Sequence, residues 1–282
     1  MISGDIERYL ETGEHDELFG SWPGNNVLEC AQAGKAALRA ALEAEICVRE
    51  ANAPRSPQLA ELDLVSLTRA KVTPMVRGLF PRVEQAVVLA LLERSIIFLT
   101  PANIRSIIRT GTWLGTVWKL ADAYLADIGA EPLSTDAAVL GLSEGTTCYV
   151  AAAAYFDKPE PFSDYIVHEA AHVFHNCKRE TVGLPSTRTR EWLLGIDYRK
   201  RETFAYTCEA FSYLLAHANT RAERIRLFDE LAHTDLPSDD RVDGGEYLAI
   251  LAAAIEARAG WKCILDRCKP AKSNAHPQRP VR

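Results

Sequence analysis

Much that would narrow the function of this 282-residue chain is missing from it. Its first residues, Met1-Ile2-Ser3-Gly4-Asp5-Ile6-Glu7, show no positive stretch followed by an apolar core, so no secretory leader is expected. The longest apolar run, Ala86 to Thr100, is cut by Glu93 and Arg94 and is too short for a bilayer. There is no glycine-rich phosphate loop and no internal repeat, which argues against nucleotide-loop enzymes and solenoids. A positive balance is lacking too. Lys and Arg number 32 against 38 Asp and Glu, a formal charge of -6, which excludes a general nucleic-acid coat and leaves room for a local basic patch. The seven cysteines are odd in number and irregular in spacing, so they form no disulfide framework. Cys263 and Cys268 are not at a zinc-ribbon spacing, and Cys177 and Cys208 read as small core residues. A soluble, cytoplasmic protein with reduced thiols is expected.

What is present is apolar and helical. Hydrophobic residues make up 48% of the chain, enough for one large domain or two modest ones. Residues 5–19 form a short acidic amphipathic segment, and Val27 to Ala51 is rich in Ala, Leu, Glu and Arg with helical periodicity. A helix from Leu59 to about Lys71 follows, with Pro74 and Pro81 as punctuation, then a buried helix over Val83 to Glu93. Ser95 to Leu99 fits a short strand or that helix's continuation. Pro101 opens another helix, and Thr112 to Ile128 is amphipathic, with Trp113, Trp118 and Tyr124 expected in the core and Gly129 as its C-terminal cap. Strands are predicted at Ala138 to Leu142 and Thr146 to Phe156 across a Ser143-Glu144-Gly145 turn. Helices are predicted around Glu191 to Ile196, at Arg201 to Leu215, at Asn219 to Leu231 with Asn219 or Thr220 as cap, and at Gly245 to Gly260.

The stretch Ser163 to Cys177 contains His168-Glu169-Ala170-Ala171-His172, an H-E-x-x-H pattern. On a helix, residues four apart share a face, so both imidazoles can meet one metal ion, and Glu169 stands beside them within reach of a metal-bound water. A shuffled chain of this composition would show the pattern on the order of one time in a hundred. Context strengthens it. Ile166, Val167, Ala170, Ala171, Val173 and Phe174 make the segment apolar almost all round, so its polar residues are carried into the interior and need partners. Core histidines satisfied by backbone carbonyls are the plain alternative.

Two histidines hold zinc poorly, because catalytic sites use three protein ligands and leave a fourth position open. On the following helix Glu202, Tyr206, Glu209 and Tyr213 form one polar stripe opposite Phe204, Cys208, Phe211 and Leu215. Glu202 and Glu209 are both candidate third ligands, and the one not used would hold an imidazole tautomer. His175 lies seven residues from His168, roughly 10 Å along a straight helix, too far to join the same ion. It is read as a hydrogen-bonding or structural histidine.

With these residues in place the segment resembles the zincin metallopeptidases of the glutamate-liganded, gluzincin kind. In them an H-E-x-x-H helix is followed by a second helix whose glutamate completes the site, often as E-x-x-A. Glu202-Thr203-Phe204-Ala205 has that form, which favours Glu202 over Glu209, and Leu214-Leu215 follow as in the repressor-cleaving branch. The resemblance covers residues 138–216 and departs from the thermolysin-like pattern at Tyr206, where an aspartate would orient the first histidine. It implies an α+β, mostly α fold with a zincin-like core, a small sheet and an H-E-x-x-H helix. The helical region 1–94 would precede a metallohydrolase domain at 95–268 and a disordered basic tail at 269–282. It further implies Zn²⁺ on His168, His172 and Glu202, Glu169 as general base, and an intracellular protein or peptide as substrate; Tyr206, where the pattern is departed from, is read as a hydrogen-bond partner of an imidazole or of the developing oxyanion. The strand Thr146 to Phe156 would pair with an extended peptide.

Two other readings stand beside it. Lys178, Arg179, Arg188, Arg190, Arg199, Lys200 and Arg201 fall between the two helices and could hold nucleic acid or an acidic protein, with zinc only structural. A zinc hydrolase of a non-peptide substrate fits the same motif. No membrane partner is expected.

Overall fold

The computed structural model describes residues 2–54, 63–135, 141–151, 162–234 and 236–270. Among them are eleven α-helices and three short strands, an α-rich α+β chain. The expectations for the strand ahead of Gly141, for the strand beyond Ala151 and for the tail beyond Pro270 lie outside the described residues. The chain divides into two units, one of residues 1–69 with 93–160, the other of residues 70–92 with 161–282. The units interleave in sequence, where the sequence suggested one boundary after residue 94.

The first unit is built on α1 (Ile2–Thr12), α2 (Val27–Glu50), α5 (Ile104–Thr110) and α6 (Leu114–Asp127). Asn26 caps α2: its side chain accepts from Glu29 N–H at 3.0 Å, while the Glu29 carboxylate accepts from Asn25 N–H at 2.7 Å. Gly34, Leu38, Leu42 and Ile46, four apart, make the buried face of α2. A Cβ at Gly34 would lie 2.3 Å from Phe19, so only glycine admits that contact. Trp118 and Tyr124 are in this core, but Trp113 is 67% exposed. It stands at the N-cap of α6, outside the helical periodicity that placed it inside. Gly129 follows α6 with φ +70°, the left-handed conformation that ends a helix.

The sheet also belongs to this unit. Strands β1 (Ile96–Phe98), β2 (Gly141–Glu144) and β3 (Thr147–Val150) are ordered β1-β3-β2, with β3 parallel to β1 and antiparallel to β2. Gly145, at φ +64°, turns the hairpin. The central position of β3 corrects one expectation: a strand paired on both sides has no free edge at Thr147–Val150 for a peptide to join.

Helix α3 (Leu64–Leu79) runs through Pro74, where a stop was expected. Pro74 and Ala70, whose carbonyl loses its usual donor, are both exposed residues on the solvent side of the helix. Helix α4 (Arg82–Ser95) follows.

The second unit gathers α7 (Tyr165–Asn176), α9 (Arg221–Thr234), α10 (Gly244–Glu256) and α11 (Gly260–Cys268) around α8 (Arg201–His217). Gly260 lets the start of α11 touch Phe211, where a Cβ would come within 2.3 Å of that ring. Thr220 caps α9. The expected helix at Glu191 to Ile196 is instead irregular chain, bridged from Trp192 to Lys178 and bent at Leu193 and Leu194. Its N–H groups go elsewhere: Leu193 donates to Cys177 O at 3.0 Å and Leu194 to Phe174 O at 2.9 Å. Among the described residues no helix is long and apolar enough to cross a membrane.

Candidate metal centre

The approach to α7 is fixed before any imidazole appears. Phe162 adopts φ +66°, a conformation that costs a non-glycine residue roughly 1–2 kcal/mol, and its ring rests on Tyr213 of α8 at 4.9 Å. Asp164 then caps α7. Its Oδ1 accepts from Val167 N–H at 3.3 Å and its Oδ2 from Lys71 Nζ at 2.9 Å. Its own N–H donates to Glu209 Oε1 at 2.6 Å, which ties the start of α7 to α8. An aspartate just ahead of an apolar helical run was a legible capping signal; its link to Glu209 was not.

From that anchored end the helix turns His168 and His172 to one side. Their Nε2 atoms are 3.2 Å apart, and Glu202 Oε2 of α8 lies 3.4 Å from His172 Nε2 and 3.8 Å from His168 Nε2. These three side chains form a group able to hold a metal ion. Ligand atoms placed tetrahedrally at about 2.05 Å from zinc would be about 3.3 Å apart, so the three observed separations bracket the required triangle. The donor set, two imidazole nitrogens and one carboxylate, is that of a catalytic zinc site with one position left open.

Glu209 takes the other edge of the first imidazole. Its Oε2 is 3.0 Å from His168 Nδ1, so a proton on Nδ1 leaves the Nε2 lone pair directed at His172 and Glu202. Burial pushes the His168 imidazole toward neutrality, but the bond to Glu209 and the charges of Glu209, Glu169 and Glu202 together hold it above its ordinary range. Burial opposes charge on Glu202, yet the hydrogen bond and charge of His172 and the Arg241 guanidinium keep that carboxylate below its ordinary value.

Glu169 is buried at 6% exposure, one position along from His168. Tyr206 sets its ring edge-on to His168, with centroids 4.5 Å apart. Burial first, then Glu209, Asp239 and Glu202, push its phenol up to about 12, so it stays a donor at neutral pH. His175 stands behind the second imidazole, its Nε2 3.5 Å from His172 Nδ1. Burial, then His172 and Arg201, push it down to about 3.

Arg241, on the loop before α10, entered no sequence argument, since a lone arginine after Asp239-Asp240 carries no motif. Its Nη1 lies 2.8 Å from Glu202 Oε1, the oxygen turned away from the imidazoles, while Asp239 accepts from its Nε at 2.9 Å and from its Nη2 at 2.5 Å. The pair holds Glu202 with one oxygen toward the histidines.

The basic run between the helices is dispersed. Arg179 is fully buried against Glu84 at 2.5 Å, and Arg190 shares that carboxylate at 3.3 Å. Lys178 pairs with Glu191 and Lys200 with Glu246. Four of the seven cations thus pair with carboxylates, and of the seven only Arg179 is buried. Cys177 and Cys208 are buried beside the site without entering it.

Compared with protein families, with curated proteins and with solved structures, the chain gives no match.

Proposed function

We propose that this chain is a zinc-dependent metallopeptidase, acting at the site that α7 and α8 share. The observation that carries the proposal is the convergence of His168 Nε2, His172 Nε2 and Glu202 Oε2, on edges of 3.2, 3.4 and 3.8 Å, with Glu169 on the same turn. Both Nδ1 edges are turned to other partners, so the two Nε2 atoms face each other across 3.2 Å, close enough for one proton or one cation to stand between them.

His168, His172 and Glu202 would hold the zinc ion, which when bound would supply a Lewis acid and an acidified water. Glu169 takes the proton of the attacking water and carries it to the departing nitrogen. Tyr206, protonated throughout, donates to the oxygen on which negative charge develops. Glu209 and Asp164 keep the first imidazole in register with α8, and Arg241 with Asp239 does the same for Glu202. The choice of a peptide bond rests on the resemblance of the two helices to gluzincins.

Metal content by plasma emission, for wild type beside His168→Ala, Glu202→Ala and Glu209→Ala, tests the ligand set. About one zinc per chain is expected, lost with His168 or Glu202 and retained, more weakly held, without Glu209. No zinc in wild type after the metal is supplied would overturn the proposal. Glu169→Gln should keep the zinc and lose cleavage of a quenched fluorescent peptide library; undiminished turnover would remove Glu169 as the base.

A further inference from the structure

We infer that His175 is the positioning residue for the second ligand: its Nε2 accepts the Nδ1 proton of His172 and so fixes the tautomer that points His172 Nε2 at the ion. The inference rests on the metal-site reading above. It goes beyond it, because the spacing of residues 168, 172 and 175 makes His175 a hydrogen-bonding or structural histidine without naming its partner or its effect on the site.

Geometry separates His175 from the ligands. It meets His172 on the ring edge opposite the one turned to His168 and Glu202, so it cannot share their ion and instead controls the nitrogen that carries the proton. The two rings stand at 89° with centroids 5.3 Å apart, an edge contact rather than a stack. Among the described residues His175 Nε2 is the one hydrogen-bond partner that His172 Nδ1 has. An imidazole accepting at Nε2 must carry its own proton on Nδ1, and His175 Nδ1 is buried without a partner. A 4% exposed side chain with one orphaned polar atom is a poor core residue, and phenylalanine would fill that space with no unmet donor. What the histidine alone adds is an acceptor facing His172.

The two ligand imidazoles are therefore held unequally. His168 leans on a carboxylate, and His172 on a neutral ring. A carboxylate partner makes an imidazole a stronger donor to a cation than a neutral acceptor does. His172 is thus the weaker and more exchangeable ligand of the pair.

The test uses the full chain and two substitutions. His175→Phe removes the acceptor and keeps the bulk. His175→Gln places an amide oxygen near the position of Nε2. Zinc affinity is read by chelator competition, ligand-field geometry by the visible spectrum of the Co²⁺ form, and folding by thermal unfolding of the metal-free protein. His175→Phe should melt no lower than wild type yet bind zinc about 10–100-fold more weakly, with an altered Co²⁺ spectrum, and His175→Gln should restore most of the loss. Unchanged affinity in His175→Phe, or a glutamine variant no better than the phenylalanine one, would overturn the role. Should His175→Phe not fold, ¹⁵N spectra of the zinc-loaded wild type decide: a protonated His172 Nδ1 coupled to a bare His175 Nε2 supports it, and a His172 protonated on Nε2 overturns it. Failure of wild type to bind zinc would instead sink the metal-site reading itself.

Discussion

Helix α6 of the first unit and the α7/α8 pair of the second carry polar side chains into apolar surroundings, and they settle them in opposite ways. The buried Asp122 of α6 turns Oδ1 to the backbone N–H groups of Leu133 and Ser134, at 2.6 and 2.9 Å, and so pins the chain that leaves the helix. On α7 and α8 the buried and half-buried polar groups answer mostly one another: His168 with Glu209, His172 with His175, and Glu202 with both ligand imidazoles. A side chain spent on backbone replaces a hydrogen bond the fold would otherwise lack. Side chains whose lone pairs converge leave a requirement that only something from outside can meet. The first kind should therefore fail in stability when removed, and the second in binding.

The largest effect is expected at Arg179, which serves the fold from within the second unit. Its Nε donates to Pro185 O at 2.7 Å and its Nη2 to Glu84 at 2.5 Å, with the side chain wholly buried. Arg179→Met leaves the buried Glu84 carboxylate largely stranded, with only the exposed Arg190 at 3.3 Å, and should lower the unfolding free energy by about 3 kcal/mol in urea titrations. Adding Glu84→Leu should recover much of that loss, because the stranded charge is gone. Zinc affinity of the folded fraction should not change. A variant that keeps its stability and loses zinc would break the comparison.

Glu209 belongs to both kinds, since it accepts from Asp164 N–H and from His168. Glu209→Gln must turn its amide nitrogen toward one of those donors. The expected result is a stability loss of about 1 kcal/mol and zinc binding weakened about 10–100-fold, equal to roughly 1.4–2.7 kcal/mol. Urea midpoints and chelator competition on one preparation measure the two together. A loss confined to stability would place Glu209 with Asp122, as part of the fold alone.

The same distinction explains what the sequence disclosed. The spacing of His168 and His172 and the stripe of Glu202, Tyr206 and Glu209 are local, because a helix converts sequence separation directly into direction. Periodicity likewise gave Val27 to Ala51 almost to the residue, against α2 at Val27–Glu50. What remained hidden depends on contacts distant in sequence. Arg241 reaches Glu202 across 39 positions from an exposed loop. Residues 191–196 look helical by composition, yet their N–H groups are claimed by carbonyls of Phe174 and Cys177. Pro74 misled in the other direction, since α3 continues past it to bury Met75, Val76 and Leu79. Within the basic run between the helices, nothing local marked Arg179 as the one residue that Glu84 draws inside.

The smallest expected effect sharpens the comparison at its exposed end. Glu223, in the first turn of α9, accepts from the N–H groups of Asn219 and Thr220, both at 2.9 Å, while Thr220 Oγ1 accepts from Glu223 N–H at 3.2 Å. Like Asp122 it is spent on backbone, but in water. The backbone N–H of Thr220, then its side chain and the Asn219 N–H, hold the carboxyl below its ordinary value of 4.5. A group whose folded pKa is depressed adds stability that is complete above the unfolded value and is lost as pH falls through the folded one. The melting temperature of wild type should therefore exceed that of Glu223→Gln near neutrality, and the gap should close as pH drops below 4.5 toward the lower folded value. Zinc content at neutral pH should be identical in the two proteins. A gap that persists in acid would mean that Glu223 acts through the helix propensity of its side chain rather than through its charge.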